Sequence, residues 1–218
     1  MRGLLRRMAS ERGGETFLIV PGSGRSWTFA ELERRAERMA RGLSELGLRQ
    51  GGKVASLLDN GSLAVELLLG AMHGGFVPVP LNPAAGRTAL SSMLDHSGAQ
   101  VLLADEEHHA VVHEAIAQLG LPPIVVWIVH GGEPAWPPTG GGAPPPPPLH
   151  PDDDALLDYT SGSTGRPKGV LMSHRGLLAG AWNTVVAHAL SECDRSLCVL
   201  PLHHMNAQVV TLLATLVS

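Results

Sequence analysis

The segment from residue 54 to residue 129 most constrains the fold, because short apolar runs alternate there with helical patterns. The apolar runs, which we predict as strands, are Val54–Leu58, Phe76–Val79, Val101–Leu103 and Ile124–Val129. The intervening helices are predicted at Ser62–Met72, Thr88–His96 and Glu106–Leu119. Strands that alternate with helices are typical of parallel β-α-β units. We therefore predict an α/β fold in which layered β-α-β sheets carry flanking helices.

Further elements are predicted on both sides of this segment. Thr28 and Glu31 have the spacing of a capping box, and apolar residues then recur at helical spacing from Phe29 to Leu46. Gly47 ends that helix. Later strands are predicted at 155–159, Val170–Met172 and Leu197–Leu200, and later helices at Arg175–Ala189 and Ala207–Val217.

Composition restricts the class of protein. The chain has 218 residues, of which 44% are hydrophobic and 17% are charged, as is typical of a globular protein. A net charge of −4 lacks the basic excess of a nucleic-acid-binding protein, and no apolar run has the length of a membrane span. Two cysteines cannot form a disulfide framework, which favours a reducing, cytoplasmic location. The basic start is too short for a secretory signal, and Glu11 and Glu15 argue against a transit peptide.

The composition changes between residues 131 and 154. Three consecutive glycines and the run Pro144–Pro148 predict an exposed, partly polyproline linker there. A docking site for a partner that binds proline-rich segments is the alternative. We therefore predict a first α/β subdomain at 1–130, a linker at 131–154, and a hairpin with the start of a second α/β subdomain at 155–218.

Residues 160–169, Thr-Ser-Gly-Ser-Thr-Gly-Arg-Pro-Lys-Gly, combine four side-chain hydroxyls, three glycines and one lysine. Glycines let the backbone approach a ligand closely, while backbone N–H groups and hydroxyls can donate hydrogen bonds to an anion. Lys168 adds a mobile positive charge, and Pro167 reduces the entropy that the loop loses when it becomes ordered. Apolar segments on both sides predict a strand–loop–strand hairpin. These features predict a loop that wraps a phosphate chain.

Other interpretations of the glycine-rich segments are weaker. The loop does not have the spacing of a Walker A motif, G-x-x-x-x-G-K-[ST]. A nearer match, Gly47–Lys53, follows a helix, and Val54 lacks the hydroxyl that would bind Mg²⁺. A flexible turn without a ligand is the other alternative for residues 160–169.

Tyr159–Val170 resembles the AMP-binding signature of the adenylate-forming superfamily, which includes acyl- and aryl-CoA synthetases, peptide-synthetase adenylation domains and luciferases. Trp27–Leu32, Gly75–Pro83 and Pro201–Asn206 resemble further motifs of that family, in the family's order. The resemblance extends from about Phe17 to Ser218. It implies that the chain is the N-terminal part of the large domain of an adenylate-forming enzyme.

The resemblance also implies a two-step reaction. A carboxylate attacks the α-phosphate of ATP, which is bound with Mg²⁺, and gives an acyl-adenylate and pyrophosphate; a thiol, usually that of CoA, then displaces AMP. The implied nucleotide-binding residues are Thr160, Ser161, Gly162, Ser163, Thr164, Gly165 and Lys168. Thr164 and Lys168 are the catalytic candidates among them, because they would offset the charge that develops on the leaving pyrophosphate.

For the carboxylate pocket, the resemblance implies His203, His204 and Asn206. His204 matches the family's histidine that lines the acyl and pantetheine tunnel, whereas His203 replaces the aromatic residue that usually precedes it. The alternative is a pair of solvated loop histidines.

No metal-binding set is predicted among the histidines and cysteines. His109 and His113 are spaced i, i+4 but lack the H-E-x-x-H pattern of zinc proteases, which favours surface histidines. Cys193 and Cys198, taken with the histidines at 203 and 204, lack a C-x-x-C knuckle.

Asp158 stands in a strand that we predict to be buried, where the family's signature normally has an apolar residue. An unpaired buried carboxylate would cost several kcal/mol or remain protonated. We therefore expect Asp158 to accept hydrogen bonds from a donor or to face solvent.

The motif at 201–206 favours an acyl- or aryl-CoA ligase whose partners are a small-molecule carboxylate, ATP and CoA. The residues Ser163–Thr164 and His174–Leu177 instead favour a peptide-synthetase-type adenylation domain. The family's Y-G-x-T-E motif, whose Glu holds Mg²⁺, and its T-G-D motif do not occur in these 218 residues. We therefore expect that a further C-terminal part is required for catalysis and that residues 1–218 alone are inactive. A noncatalytic nucleotide-binding or interaction remnant is the remaining alternative.

Overall fold

The computed structural model describes residues 1–128, 134, 146–160 and 168–218. The helices are α1 (Arg2–Glu11), α2 (Phe29–Glu45), α3 (Ser62–Gly74), α4 (Gly86–Ser97), α5 (His109–Ile116), α6 (His174–His188) and α7 (Ala214–Val217), with a π-helical segment at Asn206–Leu213. The strands are β1 (Thr16–Val20), β2 (Arg25–Thr28), β3 (Lys53–Leu57), β4 (Val77–Pro80), β5 (Val101–Asp105), β6 (Ile124–Ile128), β7 (Asp154–Thr160) and β8 (Lys168–Ser173). Within the described ranges, no helix is both long enough and apolar enough to cross a bilayer.

The central sheet contains four parallel strands in the order β4-β3-β5-β6, which confirms the predicted β-α-β arrangement. The helix predicted at Glu106–Leu119 differs in detail, because a 3₁₀ turn at Glu106–His108 precedes α5, which ends at Ile116. The backbone N–H of Leu119 donates to the carbonyl of Ile116 at 3.0 Å in a final turn. Pro122 and Pro123 follow and cannot continue a helix.

Apolar side chains cover both faces of this sheet. On one face, helices α1 to α3 and the C-terminal helical segments form a core that includes Leu32, Leu103 and Leu213. On the other face, α4, α5 and β7 form a core that includes Leu102 and Leu157. Consecutive residues of β5 thus enter opposite cores, as the alternation of side chains along a strand requires.

Helix α2 begins at the predicted capping box and crosses α3 closely. Thr28 Oγ1 accepts a hydrogen bond from the backbone N–H of Glu31 at 3.2 Å, and the Glu31 carboxylate accepts one from the backbone N–H of Thr28 at 2.9 Å. At the crossing, a Cβ atom added to Gly70 would lie 2.5 Å from the Cβ of Met39. The absence of a side chain at Gly70 therefore sets how closely the two helices pack.

Two buried histidines, His73 in α3 and His174 in α6, are held in the neutral form. Burial lowers the pKa of each imidazole to about 4, and neither ring has a hydrogen-bond partner among the described residues. Nε2 of His73 lies 3.7 Å from a carboxylate oxygen of Glu33. Because the pKa of His73 is lowered, its imidazole is neutral at pH 7. Its contact with Glu33 is therefore not an ion pair.

The neutral His174 predicts a specific pH dependence of stability. Its pKa is 6.5 in the unfolded chain and about 4 in the fold, so its contribution is complete above pH 6.5 and is lost as the pH falls towards 4. We expect His174→Leu to reduce the loss of unfolding free energy between about pH 7 and about pH 5, as measured by urea denaturation. His188→Leu, at the exposed end of the same helix, is the matched control. Equal pH dependence in both variants would contradict this prediction.

Helix α1 and the hairpin β1–β2 were not predicted from the sequence. Helix α1 is short and buries Leu5 and Met8. Strand β1 pairs antiparallel with β2 across a turn in which Gly22 and Gly24 have positive φ angles of 78° and 68°. Glycine adopts such angles without the steric cost that a side chain adds.

Strands β7 and β8 pair antiparallel from Asp154 opposite Ser173 to Thr160 opposite Lys168. This pairing confirms the predicted strand–loop–strand hairpin. Strand β7 also lies against β4, so the hairpin is attached to the edge of the central sheet.

The strand predicted at Leu197–Leu200 is wrong. Leu197 and Val199 are each 74% exposed, and the described chain places no strand beside them. The Asn60 amide instead donates to the carbonyl of Leu200 at 2.8 Å and accepts from the backbone N–H of Leu202 at 2.7 Å. Because a side chain rather than a neighbouring strand binds this backbone, the apolar run stays an extended loop.

Part of the predicted linker 131–154 is described, at residue 134 and from residue 146 onward. Arg2 binds the carbonyl of Pro147 at 2.7 Å, and Gln50 binds that of Pro148 at 3.3 Å. The end of the segment is therefore attached to the first half of the chain. The division at 130 and 154 stays a prediction.

Candidate nucleotide and carboxylate site

The base of the predicted phosphate loop is formed by the last pair of the β7–β8 hairpin. Thr160 and Lys168 lie opposite each other, and both are exposed. Of the predicted nucleotide-binding residues, Ser161, Gly162, Ser163, Thr164 and Gly165 lie outside the described residues. The hairpin therefore directs a hydroxyl-bearing residue and a cationic residue to the two ends of the loop.

Tyr159 anchors this hairpin to α4 one residue before the loop. Its hydroxyl donates to the carbonyl of Met93 at 3.1 Å and lies 2.8 Å from Nδ1 of His96. Because the hydroxyl hydrogen points to Met93, Nδ1 of His96 is the donor in the second contact. Burial raises the pKa of Tyr159 to about 12. Gly169 lies close by, since an added Cβ would be 3.3 Å from His96 Cε1.

The predicted substrate residues lie in a turn that leads into the π-helical segment. The rings of His203 and His204 are 4.4 Å apart, and the backbone N–H of His204 donates to Pro201 at 2.9 Å. His203 is half-buried, whereas His204 and Asn206 are exposed. Burial lowers the pKa of His203, and His204 lowers it further. Two neighbouring imidazoles therefore lie together at this turn, which also bears the exposed Asn206.

Asp158 lies in the strand that leads to the loop. Its side chain is buried, at 4% exposure, and one carboxylate oxygen accepts from the backbone N–H of Tyr159 at 3.0 Å. The His204 imidazole of the turn at 201–206 interacts electrostatically with the same carboxylate. The expectation that Asp158 would find a donor is thus confirmed. Burial raises its pKa to about 6.

An acidic cluster lies beside the same turn, at the carboxyl ends of β3 and β5. Asp59, Asp105, Glu107 and His108 have ligand atoms within 4.8 Å of one another. Burial raises the pKa of Asp105. Burial lowers the pKa of His203, and the carboxylate of Asp59 acts in the opposite direction. Sequence reasoning missed this cluster because Asp59 lies 46 residues before Asp105 in the chain. The signal was the reversal of strand order at β3 and β5, where α/β sheets form ligand crevices.

Two sets of histidines and cysteines were considered from the sequence as possible metal ligands, and the structure shows their surroundings. His109 and His113 are exposed, and the His109 ring stacks on Trp127 at a centroid distance of 4.8 Å. Cys193 and Cys198 are exposed free thiols. Among the described residues, neither set has ligand atoms gathered closely enough to hold a metal ion.

Comparison with known proteins assigns the family. The family described as AMP-binding enzyme matches residues 5–218. The chain belongs to the AMP-binding enzyme family. The matched residues include both the hairpin and the turn at 201–206, and the match confirms the resemblance found in the sequence.

Three known proteins illustrate the similarity. The sulfoacetate–CoA ligase of Cupriavidus necator is 37% identical over 219 residues, which span 100% of this chain and 43% of the ligase. The ATP-bound structure of MatB from Rhodopseudomonas palustris superposes with a TM-score of 0.82 at 25% identity, over 98% of this chain and 43% of MatB. The anthranilate–CoA ligase AuaEII, in complex with anthranoyl-AMP, superposes with a TM-score of 0.84 at 25% identity, over 98% of this chain and 42% of that protein. The chain thus spans less than half the length of these proteins.

Proposed function

We propose that this chain supplies the phosphate-binding part of an AMP-forming acid–thiol ligase. In the first step, ATP activates a small-molecule carboxylate as an acyl-adenylate; in the second, CoA takes the acyl group and releases AMP. One observation carries the proposal: the β7–β8 hairpin sets Thr160 opposite Lys168, so a hydroxyl-bearing residue and a cationic residue stand at the two ends of the predicted phosphate loop.

The proposed role of the loop is electrostatic. Lys168 would place a positive charge beside the β- and γ-phosphates, and the hydroxyls of Thr160, Ser161, Ser163 and Thr164 would donate hydrogen bonds to their oxygens. Gly162 and Gly165 would let the backbone approach. These donors offset the charge that builds on pyrophosphate as it leaves. ATP itself supplies the reactive phosphoric anhydride.

Mg²⁺ is expected to accompany ATP, yet the described base of the loop supplies no free carboxylate for it. Asp158 is the nearest acidic residue in the sequence of β7, and its buried carboxylate already accepts from the backbone N–H of Tyr159. A hard cation prefers carboxylate and phosphate oxygens. We therefore propose that the phosphates of ATP hold Mg²⁺ without a carboxylate from β7.

The turn at 201–206 would receive the carboxylate substrate. His204 and Asn206 are exposed and can donate hydrogen bonds to a carboxylate, while the half-buried His203 supports the ring of His204. We favour CoA as the thiol, because the name of the sulfoacetate–CoA ligase identifies it as a CoA ligase. The exposed free thiols fit a reducing compartment, so we propose a cytoplasmic location.

Residues 1–218 alone are expected to show no ATP–pyrophosphate exchange with any carboxylate, because the Mg²⁺ ligand and the ribose-binding motif of the family are not among them. A chimera tests the proposal directly: residues 1–218 replace the matching 219-residue part of the sulfoacetate–CoA ligase. We expect the chimera to catalyse the exchange with at least one member of a carboxylate panel, and its Lys168→Ala variant to be much slower. A folded chimera that is inactive with every acid would refute the proposal, as would exchange by 1–218 alone.

A further inference from the structure

Leu202, the residue directly before His203 and His204, has both of its backbone polar groups bound by side-chain amides. Its N–H donates to Oδ1 of Asn60 at 2.7 Å, and its carbonyl accepts from Nε2 of Gln208 at 2.8 Å. Asn60 lies between β3 and α3, whereas Gln208 lies in the π-helical segment. Two separate parts of the chain therefore hold the backbone at this one residue.

The Gln208 side chain is buried although one of its polar atoms has no partner. Gln208 is 1% exposed, and its Oε1 has no hydrogen-bond partner among the described residues. A carbonyl oxygen only accepts hydrogen bonds, so the amide nitrogen must face Leu202 and Oε1 must be the atom that remains. A buried polar atom without a partner destabilises a fold, and methionine would fill a similar space without one. The donor that the amide presents to Leu202 therefore accounts for a glutamine at this position.

Fixing the Leu202 carbonyl also fixes the direction in which the chain enters the turn. A peptide bond is planar, so this carbonyl lies in one plane with the N and Cα atoms of His203. The backbone N–H of Gln208 also donates to the carbonyl of His204 at 3.2 Å, and the N–H of His204 donates to the carbonyl of Pro201 at 2.9 Å. Gln208 thus contacts the turn on both sides of His203.

We infer that Gln208 is a positioning residue that, with Asn60, sets the orientation of His203 and His204 towards the carboxylate substrate. This role rests on the proposed function. The segment that carries Gln208 is π-helical, a rare form that frequently occurs at functional sites. The two imidazole rings are 4.4 Å apart, so a rotation of the backbone at Leu202 displaces both.

Amide hydrogen exchange of residues 1–218, without any nucleotide, tests whether Gln208 holds the turn. The reporter is the N–H of Leu202, which is bound by Asn60 and not by Gln208. Gln208→Met removes the donor to the Leu202 carbonyl, so this N–H should exchange at least about tenfold faster through local opening, while the amides of β5 keep their rates. Gln118→Met, an exposed change beyond the end of α5, is the matched control. If the methionine variant does not fold, Gln208→Leu replaces it.

Unaltered exchange at Leu202 in the Gln208 variant would overturn the inference. An equal acceleration in β5 would overturn it as well, because Gln208 would then act on the stability of the whole fold and not on the turn.

Kinetics of the chimera test the consequence for the substrate. Gln208→Met should raise KM for the carboxylate by at least about tenfold and leave KM for ATP within about twofold, because only the carboxylate-binding turn is displaced. A loss of overall stability would reduce the active fraction, and so kcat, without such a split. Equal changes in both KM values would therefore overturn the inference. A chimera that is inactive even with Gln208 intact refutes the proposed function instead, while the exchange measurement still decides whether Gln208 holds the turn.

Discussion

The Lys168→Ala variant of residues 1–218 binds ATP about tenfold to a hundredfold more weakly than the unaltered chain, as judged by calorimetric titration. A hydrogen bond to a charged group contributes about 1.5–3 kcal/mol, and each 1.4 kcal/mol changes an affinity about tenfold. Lys168 is exposed at the end of β8, so its loss should leave the fold intact. The effect should weaken as salt concentration rises, because salt screens exposed charges.

The chain offers a matched control, since Lys53 and Lys168 are its two lysines. Lys53 ends the Gly47–Lys53 segment that approximates a Walker A motif, and it begins β3. Lys53→Ala should leave ATP affinity within about twofold, because the segment lacks the context of a phosphate loop. If Lys53→Ala weakens ATP binding and Lys168→Ala does not, ATP binds at the start of β3 and not at the hairpin.

Gly70→Ala lowers the free energy of unfolding by about 1–3 kcal/mol, because the added methyl group overpacks the crossing of α2 and α3. Its Cβ would lie 2.5 Å from Met39 Cβ and 3.0 Å from the carbonyl oxygen of Ala36. The backbone of α2 cannot yield as a flexible side chain would. Urea denaturation measures the change.

The same substitution at a position with open space around it should raise the free energy of unfolding instead of lowering it. An added Cβ at Gly3 in α1 meets no atom within 4 Å, so Gly3→Ala should stabilise the chain by about 0.5 kcal/mol through helix propensity. Destabilisation by Gly3→Ala would contradict the open space described at Gly3. An unchanged stability of Gly70→Ala would show that the α2–α3 crossing is not as close as described.

The central sheet could be predicted because its signals are local. Each apolar run in residues 54–129 is bounded by a helical pattern, and parallel pairing follows from that alternation. The prediction at Leu197–Leu200 failed because apolar residues form a strand only where a neighbouring strand binds their backbone. There the amide of Asn60, about 140 residues away in sequence, takes that place. Helix α1 was missed because Leu4, Leu5 and Met8 stand among basic residues at the start of the chain, and this pattern was considered only as a possible targeting segment.

The candidate site, too, could be predicted from the sequence only where its signals are local. The hairpin and the turn at 201–206 carry motifs, so the sequence located them. The contact that supports the hairpin is not local, because His96 is 63 residues from Tyr159 in the sequence. The oddity of a carboxylate in an apolar strand was visible in the sequence, but its electrostatic interaction with His204 was not. Nor was the cluster of Asp59 and Asp105, which parallel pairing of β3 and β5 brings together.

The central claim is that the β7–β8 hairpin receives the triphosphate of ATP, and amide chemical shifts of residues 1–218 test it most directly. On addition of ATP, the account predicts that the largest changes occur at Thr160, Lys168 and Gly169, which flank the loop, and that Lys168→Ala abolishes them. Changes confined to Gly47–Lys53, or a hairpin that does not respond to saturating ATP, would contradict it.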